Sequence, residues 1–188
     1  MIIGLDLETT GLNVGSDRII ELCFGLYNES CTLVKNVTMR FNPHRPIDPK
    51  AQAVHHISMN DLINCPSFEE KAPVLNAILN KANLIVIHNA KFDAPFLRYE
   101  LESCGLQAPS VPVYDTMAES RWATPDGKWP KLGELCFACG VDYNATEAHA
   151  AEYDVNKMME CFKKTQELGY LSTNTHPFNE IQPFQRRK

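Results

Sequence analysis

The stretch LIVIHNAKFDAPFL, residues 84–97, decides how the chain is arranged. Its first five residues, Leu84–His88, make a continuous apolar run of the kind that suits a strand buried on both faces. The residues after it predict a helix from about Phe92 to Cys104, stopped at Gly105. A buried strand feeding a helix is the repeating unit of an α/β fold.

Outward from that stretch, the two halves of the chain read differently. On the N-terminal side lie three strand-like segments, Ile2–Leu7, Arg18–Tyr27 and Leu33–Phe41, with intervals short enough for an antiparallel meander. NPHRPIDP (42–49) reads as extended loop. Ser58 is placed to cap a short helix, and Ser67-Phe-Glu-Glu70 has capping-box spacing for a helix running to about Lys81. On the C-terminal side, Val111–Tyr114 predicts a short strand, and Thr116–Trp122 and Leu132–Cys139 predict helical segments. A long helix from about Ala150 to Leu168 stops at Gly169. The expected fold is therefore α/β, a mixed sheet with helices packed on it, in one domain over residues 1–169. Residues 170–188 carry no clear period and read as a tail, either flexible or used to dock a partner.

Composition narrows the function. With 188 residues, 44% of them hydrophobic, the chain can bury one sizeable core. No apolar run is long enough to cross a bilayer, and the first strand begins within two residues of Met1, so a cytoplasmic protein is expected. The net charge of −5 argues against a tight binder of long nucleic acid, but not against an enzyme that handles a few nucleotides. Seven cysteines at irregular spacing suggest no disulfide framework. Cys136-Phe-Ala-Cys139 lies in a predicted amphipathic helix and reads as a pair of core thiols.

Four carboxylates and a histidine stand out. Asp6 and Glu8 share one face of the first strand, with Cα atoms about 6.5–7 Å apart. Alone they mean little, since an Asp-x-Glu triplet is expected roughly once by chance in such a chain. Asp93, just past the buried strand, suits either a helix N-terminus or a functional acid. Asp154 and His149 fall near the start of the last helix, where both also have bland readings. Five helical residues turn through about 500°, so the two converge only if His149 precedes the helix. Together, four acids and an imidazole fit a two-metal phosphodiesterase site, in which hard cations take oxygen ligands and the histidine serves as base.

DLETTGL, HNAKFDAPFL and HAAEYD, in that order, resemble the three motifs of the DEDD superfamily of exonucleases. The histidine five residues before the last aspartate resembles the DEDDh, DnaQ-like branch, which includes proofreading epsilon subunits. The tyrosine branch would carry Tyr where this chain has Ala150. DRIIEL, NPHRPIDPKAQAVHHIS and KLGELCFACGV are also similar to the family's intervening segments. The resemblance implies a ribonuclease-H-like fold, two divalent cations (Mg²⁺ or Mn²⁺) and stepwise 3′–5′ release of nucleoside 5′-monophosphates. It makes Asp6, Glu8, Asp93 and Asp154 the metal set and His149 the general base. Thr9, Thr10, Leu12, Asn89 and Phe92 would contact the terminal nucleotide, while His55 and His56 are expected to be bystanders. The Thr9 form of the first motif favours a single-stranded DNA 3′ end over RNA. An exoribonuclease of the same branch, or a non-cleaving end-binding module, is the alternative. Arg121-Trp122 and Lys128-Trp129-Pro130-Lys131 interleave cations with aromatics, as single-strand platforms and core-packed loops both do. QPF with a basic end, in the tail, suggests a docking peptide for a polymerase or sliding clamp.

Overall fold

The computed structural model describes residues 1–184. Its six strands are β1 (Ile2–Thr9), β2 (Ile19–Tyr27), β3 (Leu33–Arg40), β4 (Leu84–Ile87), β5 (Pro112–Asp115) and β6 (His176–Pro177). They form one sheet in the order β3-β2-β1-β4-β5-β6. The first three pair antiparallel, β4 and β5 add parallel strands, and β6 closes the far edge antiparallel. The helices are α1 (Pro49–His55), α2 (Met59–Leu62), α3 (Phe68–Leu79), α4 (Ala90–Ser103), α5 (Thr116–Glu119), α6 (Leu132–Cys139) and α7 (Ala151–Glu167).

Alternation along β1 sorts the two faces of the sheet. Ile3, Leu5 and Leu7 point into the larger core with Phe68, Leu75 and Leu79 of α3 and Ala94, Leu97 and Leu101 of α4. On the opposite face, where Gly4, Asp6 and Glu8 point, α7 lays Val155, Met158, Met159 and Phe162 against Cys23, Tyr27 and Val86. The approach of α7 is unusually close. A Cβ on Gly4 would stand 2.8 Å from Met159 Cγ, and one on Gly25 would stand 2.8 Å from Val155 Cγ1. Two bare backbone positions therefore let α7 sink onto the sheet, which brings Asp154 down toward β1.

Two segments depart from the sequence reading. NPHRPIDP is extended only as far as Asp48, whose side chain accepts the Lys50 N–H at 2.7 Å and starts α1. Pro49 occupies the first helical position, where a missing N–H costs nothing. The second departure is in the supposed tail. His176 and Pro177 pair with Val113 and Pro112, and the Phe178 N–H donates to the Val111 carbonyl at 2.9 Å. Phe178 is completely buried and Ile181 nearly so, both in the larger core. Arg98 Nη1 clamps the segment by donating to the carbonyls of Asn179 (2.7 Å) and Ile181 (3.0 Å). Burial of Phe178 alone is worth about 1.5–3 kcal/mol, enough to hold a two-residue strand in place. Residues 176–181 thus belong to the fold rather than to a tail. The basic end expected at Arg186–Lys188 lies outside the described residues.

Candidate active site

Strand lengths create the site. β4 ends at Ile87, opposite Leu5, so β1 runs on for four residues with no neighbour on that side. Asp6, Leu7, Glu8 and Thr9 occupy this overhang, at the carboxyl ends of two parallel strands, where α/β sheets open a crevice. The Leu7 N–H, freed from the β4 ladder, donates instead to Asp93 Oδ1 at 3.1 Å. That bond seats the first turn of α4 between Asp6 and Glu8. Asp115 fixes the same turn from behind. Its two oxygens accept the N–H groups of Asn89 (3.1 Å) and Ala90 (3.0 Å), and Oδ1 also accepts those of Met117 and Ala118. One carboxylate therefore caps α4 and α5 together, while Asn89 sits before α4 in a left-handed conformation with φ 76°.

The last two groups come from α7. His149 has φ 67° and precedes the helix, which begins after Ala150. Its backbone N–H donates to Asp154 Oδ2 at 3.0 Å, folding the loop back over the first helical turn. The 140° separation that a continuous helix would impose is thereby avoided. The imidazole is exposed, and Asp154 Oδ1 is buried without a hydrogen-bond partner.

These residues line one cleft of about 780 Å³: Asp6, Glu8, Leu12, Asn89, Phe92, Asp93, His149 and Asp154 all contribute to its wall. Its electrostatics are one-sided. Burial first, then the charges of Asp93, Glu8, Asp154 and Glu21, hold the Asp6 carboxyl well above the usual range. Burial, then the charges of Asp93, Asp154 and Glu21, push Glu8 up to about 9. Burial also raises Asp93 and Asp154, against the pull of the Leu7 and His149 N–H groups. Among the described residues, no lysine or arginine pairs with any of the four. Arg40 spends its Nε on Glu21 at 2.6 Å, and Glu21 lies directly across the ladder from Glu8; Lys131, in the cleft wall, forms no ion pair among the described residues.

The sequence matches the exonuclease family, RNase_T, over residues 3–162. The chain belongs to that family. The family match and its DNA polymerase III epsilon relatives make it a DEDD-type 3′–5′ exonuclease of the ribonuclease-H-like superfamily. It is 34% identical over 179 residues to the DNA polymerase III subunit epsilon of Treponema pallidum, covering 94% of this chain and 81% of that one. Exonuclease X in complex with 5′ overhanging duplex DNA superposes with a TM-score of 0.69 at 23% identity, covering 90% of this chain and 93% of the other. E. coli exonuclease I in complex with a dA16 oligonucleotide superposes at 0.77 and 16% identity, over 88% of this chain and 40% of that one. At those identities the two structures establish the shared fold.

Other expected contacts fall differently. Thr9 and Leu12 line an adjoining hollow of about 500 Å³, together with Glu8, Val54, His55 and Phe92. Leu12, 66% exposed at the tip of its turn, and Phe92 border both hollows. Thr10 lines neither. It is fully buried, its N–H donates to the Arg18 carbonyl at 2.8 Å, and its hydroxyl is held by Asp17 Oδ1 and the Arg18 N–H. Thr10 is scaffold for the turn. His55, read as a bystander, is a buried wall of the smaller hollow, whereas His56 is exposed at the C-terminal end of α1. The sequence reading assigned no role to His88, Asp115 or Glu21. His88 lines the cleft, bonded through Nδ1 to Thr116 Oγ1 at 2.9 Å and held neutral by burial, with its pKa lowered to about 4. The DRIIEL segment was the available signal for Glu21; nothing local marks Asp115.

Proposed function

We propose that the protein removes nucleotides one at a time from the 3′ end of single-stranded or frayed DNA, releasing nucleoside 5′-monophosphates. The observation that carries this reading is the uncompensated carboxylate cluster with His149 folded back beside Asp154. The donor set fits divalent cations. It consists of hard carboxylate oxygens, one of them buried and unpartnered, with no ion pair to a lysine or arginine among the described residues. Among the described residues no three such groups already form a closed ligation set, so the carboxylates line the cleft rather than cage an ion. Asp6, Glu8, Asp93 and Asp154 would hold Mg²⁺ or Mn²⁺, and two such ions supply the positive charge that in-line displacement at phosphorus requires.

The chain's own residues do the rest. The smaller hollow is of a size to take the terminal nucleoside, with Thr9 and His55 in its walls. Leu12 and Phe92 stand where that hollow meets the cleft and separate the last base from the one before it. The exposed His149 imidazole accepts a proton from the attacking water, leaving hydroxide character on the oxygen that bonds to phosphorus. The departing 3′-oxygen of the shortened strand then takes a proton from solvent. The similarity to a polymerase subunit supports the choice of DNA and makes a polymerase partner part of the proposal.

The test is direct. Free and 3′-blocked single strands of DNA and RNA are incubated with Mg²⁺ or Mn²⁺, with and without chelator, beside an Asp6→Ala protein. Stepwise shortening of the free DNA end, lost with chelator and with Asp6→Ala, is expected. Preference for the RNA strand would move the substrate to RNA, and an intact DNA end under every metal would end the proposal.

A further inference from the structure

Beyond the catalytic cleft, the segment folded back by β6 ends against a pair of exposed aromatic rings. Phe184, 42% exposed, meets Trp129, 46% exposed, with ring centroids 5.6 Å apart. The two rings come from positions 55 residues apart in the sequence. Lys91 Nζ lies 5.7 Å from the Trp129 ring centroid and 5.4 Å from that of Phe184, within cation–π reach of both. Among the described residues, Lys91 forms no salt bridge. It is also two residues before Asp93, on the exposed side of the first turn of α4.

Trp129 is itself a wall of the catalytic cleft, as are Pro130 and Lys131. Phe184 and Lys91 instead border a second groove beyond it, with His176 and Gln182. The trio is therefore a ridge at the edge of the cleft, with a half-exposed tryptophan in the cleft wall and an ammonium beside it. An indole face takes any base by stacking, and an ammonium takes a phosphate. The occupant is set by continuity with the cleft: the chain that must leave the carboxylates after its last nucleotide is bound is a single strand of nucleic acid.

Resting on the exonuclease reading, we propose that Trp129 and Lys91, buttressed by Phe184, form a stacking platform for the nucleotides upstream of the scissile bond. Trp129 supplies the face and Lys91 the phosphate contact. Phe184 is a positioning residue, delivered by the C-terminal segment and holding Trp129 and Lys91 in place. The segment that looked like a tail would thereby complete the substrate path.

A Trp122→Phe background leaves Trp129 as the only tryptophan, and an added Asp6→Asn change prevents cleavage during titration. In that protein dT10 is expected to quench the emission strongly, while dTMP, which fills only the terminal hollow, leaves it nearly unchanged. In the cleaving enzyme, Trp129→Ala is expected to raise KM for dT10 about tenfold with kcat within twofold, as lost stacking requires. Lys91→Gln is expected to lower the magnitude of the log-affinity against log-salt slope by about 0.7, one phosphate contact on a single strand. Phe184→Ala should raise KM less than Trp129→Ala does, and Phe184→Tyr should restore it. Unchanged emission with dT10, or a Trp129→Ala KM within twofold of the parent, overturns the platform. Hydrolysis of the p-nitrophenyl ester of thymidine 5′-monophosphate separates the two readings, because it needs only the carboxylates, His149 and the terminal hollow. If neither the ester nor dT10 is cleaved while dT10 still quenches Trp129, the cleavage reading fails and the platform stands.

Discussion

Two sets of buried carboxylates lie along the same stretch of fold, and they are treated in opposite ways. Glu100, in the last turn of α4, is completely buried and fully satisfied. Arg18 meets it with Nε and Nη2 at 2.8 Å each, the Ile19 N–H adds a third bond, and Arg18 also reaches Glu69. Asp17 is held by Thr10, Asn13 and Arg45, and Glu21 by Arg40. About two helical turns earlier on α4, Asp93 joins Asp6, Glu8 and Asp154, none of which forms an ion pair with an arginine or lysine among the described residues. The same helix therefore carries one acid that fastens the frame and one that is left short of charge. Glu100, Asp17 and Glu21 are each given a cation, and Asp115 is given four backbone N–H groups instead. Where a cluster is given no cation, the deficit is what a divalent ion would fill.

The largest test of this contrast is Asp6→Asn. Activity should fall to background, by more than the roughly 10²–10⁴ that a general base typically contributes. In chelator the same protein should melt higher than the parent, because one of four mutually repelling buried charges is gone. A lower melting temperature in chelator would mean that the cluster is internally balanced and would break the comparison. Next comes His149→Ala, expected to reduce kcat by about 10²–10⁴ near neutral pH while leaving cation binding, read by calorimetry, intact. Full turnover in that variant would remove the histidine from the chemistry.

The structural set should respond in the reverse sense. Glu100→Ala removes the buried partner of Arg18 and deprives the Ile19 N–H of its acceptor. Breaking such a pair costs about 3–5 kcal/mol, and the 31% exposure of Arg18 together with its bond to Glu69 puts the expected loss near ~3 kcal/mol. Urea unfolding in chelator checks it. If Glu100→Ala and Asp6→Asn shift stability in the same direction, the two sets are not distinct.

How much of this was legible in the sequence depended on whether the signal was local. The meander, the buried β4 run, α3 with its capping box and α6 all declare themselves within a dozen residues, and the structure has each of them. The acids were legible as ordered motifs, but their convergence depends on Gly4, Gly25 and the overhang of β1 beyond β4, which no local pattern encodes. Asp48-Pro49 was visible, and its proline was weighed as a breaker when it is a helix start. β6 has two paired residues and no period, and its hold comes from Phe178 and from Arg98, which lies some 80 residues earlier in the chain. Thr10 belongs to the same class. A threonine beside the motif looks equally suited to substrate or to scaffold until Asp17 and Arg18 are seen to occupy all of its polar groups except a carbonyl, which takes the Asp48 N–H.

The smallest expected effect is the most specific to the withheld cluster: the pH dependence of stability without metal. The folded-state pKa values of Asp6, Glu8, Asp93 and Asp154 all lie above the ordinary carboxylate value near 4, with Glu8 at about 9. Between those limits the folded protein holds more protons than the unfolded chain. Their contribution to stability is fully present below the unfolded value and is lost as pH rises toward 9, the reverse of a salt-bridged carboxylate. In chelator the parent should therefore lose a few degrees of melting temperature between pH 7 and 9 relative to Asp6→Asn, a difference that subtracts the histidines and thiols common to both. Added Mn²⁺ should restore more at pH 9 than at pH 7, because the sites it would occupy are then deprotonated. If the two proteins lose stability in parallel across that window, the carboxylates are not competing for the same missing charge, and the contrast with Glu100 would rest on hydrogen-bond count alone.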